Sequence, residues 1–117
     1  MNSKGKLAEM KTCEYLQKKK YTLVDFNYIT KFGEIDLIMT KGKYICFIEV
    51  KMRSEKSFAR PCEYVDDFKQ RKIISAAKIY LSTHKTDLQP RFDVAEVFCE
   101  NNRIKSIKYL ENAFELC

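Results

Sequence analysis

A chain of 117 residues gives room for one domain around one core, and its 45% hydrophobic and 32% charged content is that of a soluble globular protein. A net charge of +6 favours a polyanionic partner. Five cysteines with no Cys-x-x-Cys pair argue against a zinc site or a disulfide framework, the polar start has no signal-peptide core, and no apolar run approaches membrane-spanning length. Reducing cytoplasm and no membrane are therefore expected.

The first element is a helix capped by Asn2 or Ser3 and running to about Lys19, with Leu7, Met10, Cys13 and Leu16 as its apolar stripe. Glu9 falls one turn before Cys13, on the inward side. Residues 1–20 carry six lysines against Glu9 and Glu14, a local charge of +4. Lys18 to Lys20 suit the negative end of the helix dipole. Tyr21–Thr30 then alternates Leu23, Asp25 and Asn27 against Val24, Phe26 and Tyr28, which is a strand leading into a turn at Gly33.

The most informative stretch follows, from Gly33 to Arg53. Glu34–Thr40 is a strand with Ile35, Leu37 and Met39 on one face and Asp36 and Ile38 on the other. Gly42-Lys43 suits a type II′ hairpin turn, whose first central residue needs positive φ. The return strand, Tyr44–Lys51, is apolar on both faces around Glu49, as in a buried strand. With Lys41 facing Tyr44, counting outward sets Asp36 opposite Glu49, with Cβ atoms about 5 Å apart. Two carboxylates so close repel, and one pKa rises. A shared divalent cation removes the conflict, because Mg²⁺ takes hard oxygen ligands and often only one or two carboxylates. Lys51 emerges on the Glu49 face, where an ammonium group neutralises phosphate charge or positions a water. Taken singly, an acid in a strand is an exposed end, and a Glu–Lys pair at a surface is worth under about 1 kcal/mol. An acid between Ile48 and Val50 that faces another acid is better explained as a functional cluster.

Ser54–Cys62 is the least regular stretch, and Pro61 precedes a helix from about Glu63 to Thr83. Val65, Phe68, Ile73, Ala76, Ile79 and Tyr80 are its expected core face. Lys69, Gln70, Arg71 and Lys72 ring its first half, and residues 51–72 carry seven basic against four acidic side chains. His84 closes that helix as a solvated dipole partner and is left out of the site. Arg91–Cys99 and Ile104–Tyr109 are strands about an Asn101-Asn102 turn, with Arg91 and Asp93 sharing a face. Glu111–Cys117 is a short tail or helical turn packing Phe114. The crossover from the Glu49 strand through the long helix makes the Glu49 and Arg91 strands parallel. No repeat or linker interrupts the chain. The expected fold is α/β, a single domain over residues 1–117: an N-terminal helix, a three-strand antiparallel meander, a helix crossover and two further strands in one mixed sheet of about five strands.

The spacing of Asp36 to Glu49-Val50-Lys51 resembles the Asp…Glu-x-Lys signature of restriction-endonuclease-like nucleases. The wider wording is closer to the YraN-type family of predicted nucleases, marked by GEIDLI, here Gly33–Ile38, and by a strand ending in EVK-x-R, here Glu49–Arg53. Lys69-Gln70-x-x-Ile73, Ala77-x-x-Tyr80-Leu81, Arg91–Val94 and Asn112–Phe114 match it as well. The resemblance implies the fold of archaeal Holliday-junction resolvases, with Asp36 and Glu49 as metal ligands, Lys51 as the catalytic lysine and Glu9 as a helix carboxylate near the same site. The family's GxxGE start appears here as Gly5-Lys6-Leu7-Ala8-Glu9, with the second glycine replaced. Gln70 either reaches the site, as a glutamine does in related nucleases, or is an exposed helix amide.

Together these readings give an expectation of Mg²⁺- or Mn²⁺-dependent hydrolysis of DNA phosphodiesters, structure-selective toward branched or junction DNA. Asp36, Glu49 and the Val50 carbonyl would hold the metal. Lys4, Lys6, Arg53 and Lys69 would touch backbone phosphates, and a homodimer would suit two-fold-symmetric DNA. The rivals are a non-catalytic nucleic-acid-binding module with a vestigial or partner-dependent acidic site, and a protein-interaction domain whose charge serves solubility.

Overall fold

The computed structural model describes residues 3–54 and 66–115, with side chains from Gly5 onward at the N-terminal end. Seven elements follow one another: α1 (Ser3–Gln17), β1 (Thr22–Thr30), β2 (Gly33–Lys41), β3 (Tyr44–Ser54), α2 (Asp67–Thr83), β4 (Gln89–Glu100) and β5 (Arg103–Phe114). The strands form one sheet in the order β1-β2-β3-β4-β5. Neighbours are antiparallel except β3 and β4, which the α2 crossover makes parallel, as expected. The architecture is the mixed α/β sheet the sequence implies.

Each face of the sheet carries one helix. On one side Leu37, Met39, Cys46, Ile48 and Ala95 pack with Cys13, Leu16 and Tyr21. On the other, Ile35, Ile38, Ile45, Phe47, Phe92 and Val94 pack with Ile73, Ile74, Ala76, Ala77 and Tyr80. Burying each large apolar side chain is worth roughly 1.5–3 kcal/mol, which is what holds both helices down.

The helices keep their expected periods but turn differently. In α1 the buried positions are Ala8, Thr12, Cys13 and Leu16, whereas Leu7 and Met10, expected inward, are 46% and 48% exposed. Small residues at i and i+4 let the helix lie close to the sheet, and Thr12 Oγ1 donates back to the Ala8 carbonyl at 2.8 Å. Lys20 adopts φ +75°, with Tyr21 N bonded to Leu16 O and Lys20 N to Gln17 O, a Schellman closure that seats Tyr21 against Leu16. In α2 the described helix starts at Asp67, and Glu63 lies outside the described residues. Asp66 is the N-cap, its carboxylate accepting from Lys69 N at 2.8 Å. Phe68 is 61% exposed rather than core. The irregular Ser54–Cys62 stretch beyond Ser54, with Pro61 and Val65, and the capping residue Asn2, lie outside the described residues.

The hairpin turns as expected, with Lys41 facing Tyr44 and Gly42 at φ +56°. Alternation in β2, however, breaks at Asp36. Phe26 pairs Leu37 and packs on the α1 side, while Tyr28 pairs Ile35 and packs on the α2 side. Asn27, at φ +55°, and Asp36 fall between those two pairs. Ile35 therefore does not share a face with Leu37 and Met39. The sequence pattern assumed an unbroken period of two, and a left-handed residue in the partner strand overrides it. The C-terminal residues also differ from expectation. They continue β5 to Phe114, which pairs with Phe92 and enters the core, instead of forming a tail or helical turn.

Candidate functional site at the open end of the hairpin

The β2–β3 ladder runs from Lys41↔Tyr44 to Leu37↔Ile48. Past that pair the Val50 amide donates to Asp36 Oδ2 at 2.8 Å, so a carboxylate bridges the gap where the strands part. Glu49 stands beside it on the α2 side, 8% exposed and in hydrogen-bonding contact with Asp36. Burial first, and then the neighbouring Asp36 charge, pushes the Glu49 carboxyl up to about 8. Lys69 of α2 offsets part of this, its Nζ lying 3.5 Å from Glu49 Oε2.

Glu9 approaches Asp36 from the α1 side. Burial and then Asp36 raise its pKa, while Asn27 and Lys6 favour its ionised form. Asn27 Nδ2 is buried with no hydrogen-bond partner among the described residues, although its side chain stands beside the Glu9 carboxylate. Among the described residues no set of three or more His, Cys, Asp or Glu side chains forms a complete cation cage. The reason is geometric, since Glu9 and Glu49 reach Asp36 from opposite faces of the sheet.

The sequence-predicted residues sort accordingly. Asp36 meets Glu49 on one side and Glu9 on the other, and Lys69 joins through Glu49. Val50 enters through its backbone N–H. Lys51 follows on the Glu49 face, exposed, beside Glu96 in the β3–β4 register, and its ammonium group has no partner among the described residues. Arg53 is half-buried and donates from Nε to Glu96 Oε2 at 3.2 Å. Lys6 lies over the Phe26 ring at 5.1 Å. Gln70 is half-buried on α2 and lines a groove with Asp67, Ile74, Lys78 and Glu115, whose lining includes neither Asp36 nor Glu49. The Lys4 side chain lies outside the described residues.

Two neighbours escaped the sequence reading. Glu96 is only 2% exposed, and the run Val-Ala-Glu-Val-Phe in β4 repeats the grammar of Phe-Ile-Glu-Val in β3. Asn27 was visible as the one strand residue in Phe-Asn-Tyr that tolerates a left-handed backbone.

Do these residues suit a divalent ion? The donor set is two hard carboxylates in mutual repulsion, one of them held by a backbone N–H, with a single partly exposed lysine as counter-charge. Mg²⁺ and Mn²⁺ need no more from a protein than one or two such ligands, so the residues fit.

A mixed five-stranded sheet with a helix on each face and a carboxylate pair where its hairpin opens defines a small α/β domain with an acidic site between strands. The model of the uncharacterised protein family UPF0102 matches residues 8–97, and the chain belongs to that family, the YraN-type family. Relatives carrying the UPF0102 name include one from Alkaliphilus metalliredigens, 43% identical over 96% of this chain and 97% of the relative. Another, from Clostridium kluyveri, is 43% identical over 96% of this chain and 93% of its own. A third, from Dictyoglomus thermophilum, is 39% identical over 97% of this chain and the whole relative. No helix among the described residues is long and apolar enough to cross a membrane.

Proposed function

We propose that this protein is a Mg²⁺- or Mn²⁺-dependent nuclease that hydrolyses DNA phosphodiesters. The observation that carries the reading is the carboxylate pair of half-buried Asp36 and buried Glu49 at the open end of the hairpin, with Lys69 paired to Glu49 and Lys51 two residues on along the Glu49 face. Keeping Glu49 charged in that position is costly without a cation, and stability alone gives no reason for its placement.

Asp36 and Glu49 would hold the divalent ion, which when bound supplies Lewis acidity toward a phosphate oxygen. Val50 N–H fixes the Asp36 carboxylate at the gap, so its orientation is set before substrate arrives. Lys51, on the Glu49 face, would offset the charge that builds on the phosphorus oxygens as water attacks. Attack forms one P–O bond and breaks another, and the leaving oxygen takes a proton. Lys69, paired to Glu49, is placed to release that carboxylate as phosphate arrives. Glu9, with Asn27 beside it, would face Asp36 from the other side.

Incubation of plasmid and junction DNA with Mn²⁺ tests the proposal. Strand cleavage by the native chain, lost in Glu49→Ala and reduced about 10²–10³-fold in Lys51→Ala, supports it. DNA binding that survives both substitutions with no cleavage supports the non-catalytic module instead.

A further inference from the structure

Among the described residues two phenylalanines stand well outside the core. Phe32, in the β1–β2 turn, is 59% exposed, and Phe68, in the first turn of α2, is 61% exposed. Each ring has a lysine of its own: Lys31 Nζ lies 5.9 Å from the Phe32 centroid and Lys72 Nζ 4.7 Å from that of Phe68. The rings are carried by elements fixed against each other. Thr30 Oγ1 accepts from both Phe32 N and Gly33 N at 3.1 Å, which sets the turn. A Cβ on Gly33 would stand 2.3 Å from the Lys72 carbonyl oxygen, so the turn rests directly on the α2 backbone. Under the Phe32 turn lies a cleft of about 290 Å³ lined by Thr30, Lys31, Phe32, Glu34, Lys69 and Lys72, with Glu34 its one acid among the described residues; Phe68 is not in the lining and borders the cleft through Lys72. The cleft adjoins the acidic site through Lys69, whose Nζ is 3.5 Å from Glu49.

We infer that this cleft and its α2 rim take the unpaired nucleotides of a single DNA strand, with bases on Phe32 in the cleft and on Phe68 at the rim, and phosphates on Lys31 and Lys72. One ring and one cation per step is the pattern of a base and its phosphate, and aromatic faces serve only bases that are not already stacked in a duplex. A protein partner would call for a contiguous apolar patch, whereas here cations separate the rings. The inference rests on the nuclease reading and deepens it. A strand held in the cleft passes Lys69 on its way to Asp36 and Glu49, which directs cleavage to the border between unpaired and paired DNA.

Binding measured in EDTA separates the two ideas, because no cleavage occurs there. Fluorescence anisotropy should show Phe32→Ala/Phe68→Ala losing at least tenfold in affinity for labelled oligo-dT while duplex affinity changes less than twofold. Phe32→Leu/Phe68→Leu should lose a similar factor, since an apolar side chain without a ring gives no stacking. The chain has no tryptophan, so Phe32→Trp supplies a single indole, excited apart from the seven tyrosines, whose fluorescence oligo-dT should quench. Unchanged oligo-dT affinity in both double variants, no quenching, or a preference of the native chain for duplex overturns the inference, whether or not the protein cleaves. Stacking intact with no Mn²⁺-dependent cleavage upholds the cleft and removes the nuclease reading alone.

Discussion

Glu49 concentrates the tension in this molecule. Folded, it keeps its proton up to about pH 8, whereas the unfolded chain releases it near 4.5. Between those values the folded state binds the extra proton, so raising pH lowers stability across that window, by an amount on the order of a few kcal/mol. Thermal unfolding of the metal-free protein should show Tm falling from pH 5 to pH 8, and Glu49→Gln should flatten the curve and raise Tm at pH 8. Adding Mn²⁺ at pH 8 should raise Tm in the native chain and leave Glu49→Gln unmoved. Asp93 is the contrasting buried acid. It accepts Arg91 through Nε and Nη2, Asn112 N at 2.9 Å and the Tyr109 hydroxyl, and it is 0% exposed. Its role is to tie β4 to β5 and, through Arg91 and Tyr21, to the end of α1. Arg91→Ala would strand that charge and should cost about 3–5 kcal/mol in denaturant titration, with the Mn²⁺ affinity of the remaining folded protein unchanged.

At the scale of elements, the Gly33–Ile38 stretch has a physical reason at its first residue. Gly33→Ala drives a methyl group into the Lys72 carbonyl, and the turn must lift off α2. The expected loss is about 1–3 kcal/mol by chemical denaturation, with weaker oligo-dT binding because Phe32 moves with the turn. The hairpin was legible in the sequence because its turn chemistry and its apolar return strand agree, and one count from Gly42 places Asp36 beside Glu49. The faces of the helices were less legible. Leu7, Met10 and Phe68 fit a helical stripe by period, yet the buried positions in α1 are the smaller Ala8 and Thr12, and Phe68 stands outside the core. Ile35 was misplaced for a different reason. A strand pattern carries no mark of the left-handed Asn27 across the ladder that breaks its alternation. The β5 extension to Phe114 was hidden by Asn112, whose φ of +53° reads in sequence as a turn but occurs here at a bulge inside a strand.

For the whole molecule, the proposed DNA binding would be dominated by phosphate contacts, given the +6 charge and the lysines Lys31, Lys69 and Lys72 of the cleft. DNA affinity should therefore fall linearly on a log–log plot against salt, and Lys72→Gln should make the slope shallower by about one. An affinity indifferent to salt would point to a protein-interaction domain. Everything specific to the nuclease account returns to Asp36 and Glu49 acting as one ligand pair. Calorimetric titration of Mn²⁺ into the native chain and into Asp36→Asn, Glu49→Gln and the remote control Glu111→Gln tests this most directly. The account predicts saturable binding in the native chain and the control, weakened at least tenfold by either of the other two changes. No saturable binding to the folded native chain, or equal affinity in all four proteins, would contradict it.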